Sequence, residues 1–281
     1  MRLDLRDLSF SFGNVPVLTE INLEISSRRI AVLGQNGSGK TTLLALLCGL
    51  LRPSTGSVLV NGIDPYSSRD DFVSSMSFSF ERPNYPYRFR VKDYVNFLSR
   101  TRDCKEGLKN VIETLHLTKF LEKKVSELSS GEEQFINILN TIACGSRSLI
   151  LDEPFSRLDA FRSSVLMKYL AVDCNVDYVF STHLPEEAEG IGDYFVILGR
   201  GKITWMGDME SLYRENIFEI YLPGYSDPGL EVIFRYGRIF LVRAEDKSLE
   251  RMMAAGKILG YRKAGIRRAY YEASQFDKMV Q

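Results

Sequence analysis

At 281 residues the chain is longer than a usual single domain, which predicts one large core with a smaller appended unit. Lysine plus arginine and aspartate plus glutamate both total 36, so there is no overall positive field to draw nucleic acid, which is excluded as an expected partner. The longest apolar run, Leu43 to Leu51, is about half the roughly 20 residues that span a bilayer, so a membrane role requires a partner chain.

The N-terminal MRLDLRDLSF alternates apolar and charged residues without the basic-then-apolar layout of a signal peptide, and reads as a strand of the mature protein. Leu3, Leu5, Leu8, Phe10 and Phe12, then Ile21, Leu23 and Ile25, keep near period-2 spacing, which predicts two half-buried antiparallel strands. Ile30 to Leu33 is a continuous apolar run, as a central parallel strand covered on both faces requires. Glycine-rich Gly34 to Gly39 follows, then a helix predicted to run through Leu51 until Pro53 stops it. Tyr94 to Gly145 shows helical spacing, as at Val111, Leu115, Leu117 and Leu121, and predicts a mostly helical insert of about 82–147. Apolar runs at Ser148 to Leu151, Tyr178 to Phe180 and Tyr194 to Leu198, a helix-length apart, give the βαβ rhythm of a parallel sheet. The core is expected to close near Leu212. Ile217 to Leu222 and Val232 to Val242 read as short strands turning at Gly237, followed by helical Ser248 to Leu259, so 216–281 is expected to be a small α+β unit. Cys48, Cys104, Cys144 and Cys174 form no C-x-x-C pair and predict reduced, packed thiols rather than disulfides or zinc.

Gly34-Gln35-Asn36-Gly37-Ser38-Gly39-Lys40-Thr41 matches G-x-x-x-x-G-K-[ST] between a buried strand and a helix, the setting a phosphate-binding loop requires. Its glycines let backbone N–H groups converge on phosphates at a helix N-terminus. Lys40 would neutralise the terminal phosphate oxygens and the Thr41 hydroxyl would ligate Mg²⁺. Leu149 to Leu151 lead into Asp152 and Glu153 at the end of a second buried strand, where a parallel sheet offers its ligand crevice. Asp152 suits the metal shell and Glu153 the attacking water. Taken alone, the two carboxylates equally suit a helix N-cap.

Leu128-Ser129-Ser130-Gly131-Glu132-Glu133-Gln134 just before that strand, and Ser181-Thr182-His183 after the next, complete a pattern that resembles the ABC ATPase family over roughly residues 1–212. By that resemblance Gly34 to Thr42, with Asn36, Gly37, Ser38, Gly39, Lys40, Thr41 and Thr42, is the Walker A loop. Ser129 and Gly131 belong to the signature, Asp152 and Glu153 to Walker B, Ser156 to Asp159 to the D-loop, and His183 is the switch histidine. Phe12 takes the place of the aromatic that stacks on adenine, although its alternating position also suits a core aromatic. Glu81 stands where the family has a glutamine; it is expected to contact metal or water, and cannot donate as an amide does.

The resemblance implies a P-loop α/β fold and an ATPase using ATP and Mg²⁺. Catalysis would rest on Lys40, Glu153 and His183, with Thr41, Asp152 and Glu81 toward the metal. It further implies a second ATP-binding subunit, expected to be a second copy, and a transmembrane permease subunit, at the cytoplasmic face of the cell membrane. The aromatic-rich Arg82 to Tyr94 is where the permease would dock, or a loop packed on the helical insert. The strand, strand, helix order of the tail looks like that of export-branch ATPases, so export is expected. The alternative is a soluble ABC ATPase acting in assembly or repair.

Overall fold

The computed structural model describes residues 1–80, 88–101, 105–142, 146–224 and 227–279. Strands β1 (Arg2–Phe12) and β2 (Val15–Ser26) open the chain, and β3 (Arg29–Gly34) leads into α1 (Lys40–Leu47). Then come β4 (Thr55–Val60), α2 (Arg69–Ser75) and β5 (Met76–Ser79), and the helical insert with α3 (Val91–Thr101), α4 (Lys105–Thr114) and α5 (Ser130–Ile142). After it come β6 (Ser148–Leu151), α6 (Ala160–Lys168), β7 (Asp177–Thr182), α7 (Pro185–Ile191), β8 (Tyr194–Gly199), β9 (Lys202–Asp208) and α8 (Met209–Tyr213). The remainder comprises β10 (Ile217–Tyr221), β11 (Glu231–Tyr236), β12 (Ile239–Arg243), α9 (Asp246–Ala254), β13 (Gly260–Lys263) and α10 (Ile266–Met279).

Six strands form one sheet in the order β5-β6-β7-β3-β8-β9, parallel except for the β8–β9 pair. β3 sits in its interior, as its unbroken apolar run predicts. Ala31 and Leu33 enter one hydrophobic core, while Ile30 and Val32 enter the other. Fully burying Ile30, Val32 and Leu33 is worth about 1.5–3 kcal/mol each, so this strand pins the sheet between two layers. β2-β1-β4 is the expected antiparallel layer, and its apolar alternation packs Leu3, Leu5 and Leu8 against Leu43, Leu44 and Leu47 of α1 in one core. The P-loop α/β architecture with an antiparallel layer and a helical insert is therefore present.

α1 ends at Leu47, short of the predicted Leu51. Gly49 adopts φ +68° and a Cβ there would come within 2.6 Å of the Pro65 carbonyl, so a glycine stop precedes the proline.

The four-stranded antiparallel sheet β11-β12-β10-β13 carries the tail. One face buries Phe218, Ile220, Phe240 and Val242 with Leu249 of α9, the other Ile217, Leu241 and Ala264. Sequence periodicity missed β13 and α10. α10 bridges: Ile266 and Ala269 join the core that holds Ala31 and Leu33, while Tyr271 stacks on Phe234 of the tail sheet at 4.8 Å.

Candidate functional site

Strand order builds the site. β6, β7 and β3 are successive neighbours, so the segments leaving their C-terminal ends are brought side by side. They are the loop Gly34 to Gly39, the carboxylates Asp152 and Glu153, and His183. A cavity of 370 Å³ lies there, lined by Val17, Asn36, Gly37, Gly39, Lys40, Thr41, Thr42, Glu153, Ser156 and His183. Gly37 and Gly39 adopt φ +82° and +102°, and a Cβ on Gly34 would sit 2.3 Å from Ser38 Oγ, so the loop's path requires glycine at these positions.

Lys40 is buried, its Nζ donating to the carbonyls of Gly34 (2.8 Å) and Gln35 (3.3 Å) and lying 3.3 Å from Glu153 Oε1. Thr41 Oγ1 donates to Asp152 Oδ2 at 2.9 Å, and Ser181 Oγ donates to Asp152 Oδ1 at 2.5 Å. Burial pushes the Asp152 carboxyl above the usual carboxylate range, and these two hydroxyls pull the other way. Glu153 holds a left-handed φ of +46°, a conformation that costs a non-glycine residue of order 1 kcal/mol or more. Three hydrogen bonds fix it: its N–H donates to Ser181 Oγ at 2.9 Å, and Gln134 Nε2 donates to the carbonyls of Glu153 (3.3 Å) and Pro154 (3.2 Å). The Glu153 side chain thus points Oε1 at Lys40 and Oε2 at His183 Nδ1, 3.0 Å away.

Two hydroxyls here lack hydrogen-bond partners among the described residues: Ser38 Oγ, buried in the glycine loop, and Ser156 Oγ on the cavity wall. Unsatisfied buried hydroxyls cost about 1–3 kcal/mol each, and a polyoxygen anion in the cavity would give the Ser156 hydroxyl on its wall a partner. The Thr41 and Asp152 oxygens are hard donors of the kind that hold Mg²⁺ through one or two protein ligands while waters and phosphate supply the rest. The residues present therefore fit both a nucleotide and the metal.

Ser129 and Gly131 are elsewhere, and no signature residue lines the cavity. Ser129 starts α5 in reciprocal bonding with Glu132: its N–H donates to Glu132 Oε2 (2.9 Å) and the Glu132 N–H to Ser129 Oγ (3.4 Å). Ser129 is exposed, whereas Gly131 is buried against the backbone of Arg157 in the turn before α6. Asp159 is likewise outside the cavity, accepting from the Arg162 N–H at 2.8 Å as the α6 N-cap.

Phe12 is 56% exposed, edge-on to Phe10 with ring centroids 4.8 Å apart. The core-aromatic alternative is thereby removed, since Phe12 lies at the β1–β2 turn opposite Val15, itself 65% exposed. Glu81 and residues 82–87 of the aromatic stretch lie outside the described residues. Sequence reasoning placed Gln134 in the signature and Ser156 in the D-loop but found neither their contacts here nor any role for Ser181. Ser181 carried a signal in its place beside Thr182 and His183, while Gln134 reaches Glu153 only through the tertiary fold.

A family model described as ABC transporter matches residues 18–156. The sulfate/thiosulfate import ATP-binding protein CysA of Pseudomonas putida is 31% identical over 265 residues, covering 87% of this chain and 80% of that protein. The spermidine/putrescine import ATP-binding protein PotA of Lawsonia intracellularis is 30% identical, covering 76% of this chain and 61% of that protein. Among solved structures, an ATP binding subunit of an ABC transporter matches with TM-score 0.69 at 22% identity, over 76% of this chain and 92% of its own. CbiO1 from Clostridium perfringens, part of the transporter complex cbiONQ, matches with TM-score 0.64 at 24% identity, over 73% and 88%. These two matches show the fold. The CysA and PotA relatives are importers by name, so the export branch expected from the tail layout finds no support in them. With a glycine loop, paired carboxylates and histidine on one cavity, and relatives that share most of its length, the chain belongs to the ABC transporter family as an ATP-binding subunit, an ATPase of the kind that works with transmembrane permease chains.

Proposed function

We propose that this chain binds and hydrolyses MgATP in the cavity between Gly34 and His183, as one half of a head-to-tail pair that drives a permease at the cytoplasmic face of the membrane. The observation that carries the reading is the split between the cavity wall and the signature. Lys40, Thr41, Glu153 and His183 converge on the cavity, yet Ser129, Gly131 and Asp159 stand outside it. A second copy whose signature faces this cavity would complete it.

In the assembled site the phosphates would lie along the N–H groups of Asn36 to Thr42 at the start of α1. Lys40 exchanges its two carbonyls for phosphate oxygens. Thr41 and Asp152 would hold the metal, with Glu81 the third candidate. When bound, Mg²⁺ offsets charge on the phosphate oxygens. Glu153 orients the attacking water and accepts its proton, while His183 holds the Glu153 carboxylate and faces the γ-phosphate. Ser129 and the Gly131 backbone reach the partner copy's nucleotide, Asp159 meets the partner across the interface, and Phe12 stacks on adenine at the rim. Among the described residues no helix is long and apolar enough to cross a membrane, which supports a separate transmembrane chain. The importer names of the relatives favour uptake. The division into an ATPase unit of 1–212 and a tail unit of 216–281 is supported by the separate tail sheet, although α10 joins both.

The test is a tagged Glu153→Gln chain, recovered with ATP from mildly solubilised native membranes and its partners identified by mass spectrometry. Lost hydrolysis with retained ATP binding and a stoichiometric multi-span protein supports the reading. Undiminished hydrolysis removes Glu153 from its role, and recovery with soluble proteins alone favours an assembly or repair ATPase.

A further inference from the structure

α7 starts two residues after His183, so whatever seats α7 also sets how the histidine approaches Glu153. On the catalytic side, Thr182 Oγ1 accepts from the Leu184 N–H at 3.0 Å and donates to Glu187 Oε2. On its other side, α7 meets the tail. Arg267 of α10 donates to Glu186 Oε1, and its Nη1 lies 3.9 Å from Glu219 Oε1. Arg262 Nε donates to Glu219 Oε2 at 2.8 Å. The Glu189 carboxylate packs so closely on Gly265 that a Cβ there would come within 2.5 Å of Oε1. All three glutamates of α7 are thus engaged, one toward the catalytic loop and two toward the tail.

Glu219 is 0% exposed in the middle of the tail sheet, between β12 and β13. A buried carboxylate there costs more than an apolar side chain of the same size would, and is tolerated only because it is paired. Its neighbours on the same face, Ile217 and Leu241, are apolar. What the carboxylate adds is a fixed anion that hydrogen-bonds Arg262 through Oε2 and, through Oε1, faces Arg267 at ion-pair distance without a hydrogen bond, and Arg267 is the one that also reaches α7. α10 is stiffly mounted for this purpose, since Ile266 and Ala269 are buried in the ATPase core and Tyr271 stacks on the tail sheet.

We infer that Arg267 is a positioning residue for ATP hydrolysis: seated on Glu219, it holds Glu186 and α7 where His183 meets Glu153. The inference rests on the catalytic role of His183 proposed above. The tail is then part of the catalytic support, and its removal or displacement slows turnover without touching the nucleotide.

The experiment compares full-length Arg267→Gln, Glu186→Gln, their double variant and Arg267→Lys, with His183→Ala as reference. It measures kcat and KM for ATP and the binding of a fluorescent ATP analogue. Arg267→Gln and Glu186→Gln should each lower kcat about tenfold, less than the ~10²-fold that a 1 Å displacement of a reacting group can cost. KM and analogue binding should stay unchanged, the double variant should fall no further than the singles, and Arg267→Lys should recover most of the rate. Glu186 is 57% exposed at the side chain, so Glu186→Gln reads the effect even where Arg267→Gln fails to fold. Wild-type kcat in Glu186→Gln, fully multiplicative losses in the double variant, or parallel loss of analogue binding would each overturn the inference. Undiminished hydrolysis by His183→Ala would instead overturn the functional reading on which it stands.

Discussion

A single methyl group at Gly131 would separate the signature's structural role from its proposed catalytic one. Gly131 lies in the first turn of α5, and a Cβ there would sit 2.8 Å from the Arg157 carbonyl oxygen, against at least 3.4 Å for ordinary contact, and 3.3 Å from Arg162 Nη1. The obstacle is backbone, in a turn where Arg157 already holds φ +65°, so α5 and the turn before α6 must part. Alanine gains about 1 kcal/mol of helix propensity over glycine, while overpacking of this kind costs about 1–3 kcal/mol. The two nearly offset, and the net loss of roughly 0–2 kcal/mol lowers the thermal midpoint by a few degrees. Catalysis has no such offset. Moving the Gly131 backbone by a fraction of an ångström relative to Asp159 should cut kcat by about tenfold or more. ATP affinity of the isolated chain should hold, because Gly131 does not line the cavity. Steady-state hydrolysis, thermal melting and titration with a fluorescent ATP analogue read the three quantities. Wild-type kcat in Gly131→Ala would refute the reasoning, as would a loss of ATP affinity equal to the loss of rate.

Ser181→Ala removes the donor to Asp152 Oδ1 and the acceptor of the Glu153 N–H; denaturant titration should show a loss of about 1–3 kcal/mol together with a fall in hydrolysis, and unchanged values for both would leave Ser181 without its assigned place. Phe12→Ala should weaken ATP binding roughly fivefold or more, as loss of base stacking does, at an unaltered melting temperature because the ring is exposed, with Phe12→Tyr restoring affinity. Burial pushes the Glu187 carboxyl above its usual range, aided by Glu153 and Glu186 and opposed by Thr182 and His183. Its folded pKa therefore exceeds its unfolded one, so its contribution to stability is present below the unfolded value and lost as pH rises through the folded value. Glu187→Gln should accordingly melt close to wild type near about pH 4 and above it at neutral pH; a difference that stays constant across that range would contradict the burial argument.

Local sequence determined the nucleotide loop, because glycine spacing, a lysine and a hydroxyl carry its chemistry within eight successive residues from Gly34 to Thr41. The parallel core was equally legible. Strands buried on both faces are apolar at nearly every position, and Ile30 to Leu33, Ser148 to Leu151 and Tyr194 to Leu198 all stand in the six-stranded sheet. Asp152, Glu153 and His183 were readable as motifs, but which atoms they face follows from β6, β7 and β3 being neighbours, a long-range pairing no window of sequence contains. Phe12 shows the limit of periodicity: alternation placed it with the buried residues of β1, and only the turn at Gly13, φ +58°, leaves it exposed at the strand's end. The tail was the least legible. β13 is four residues long and α10 divides its faces between two cores, so neither shows a single periodic stripe. Gln134 on Glu153 and Arg267 between Glu186 and Glu219 are contacts between residues far apart in the chain. Their side-chain types are ordinary on a helix surface, and only the tertiary structure brings them to these partners: it turns Gln134 inward, where the loss of water makes each hydrogen bond count, and sets Arg267 between buried Glu219 and exposed Glu186.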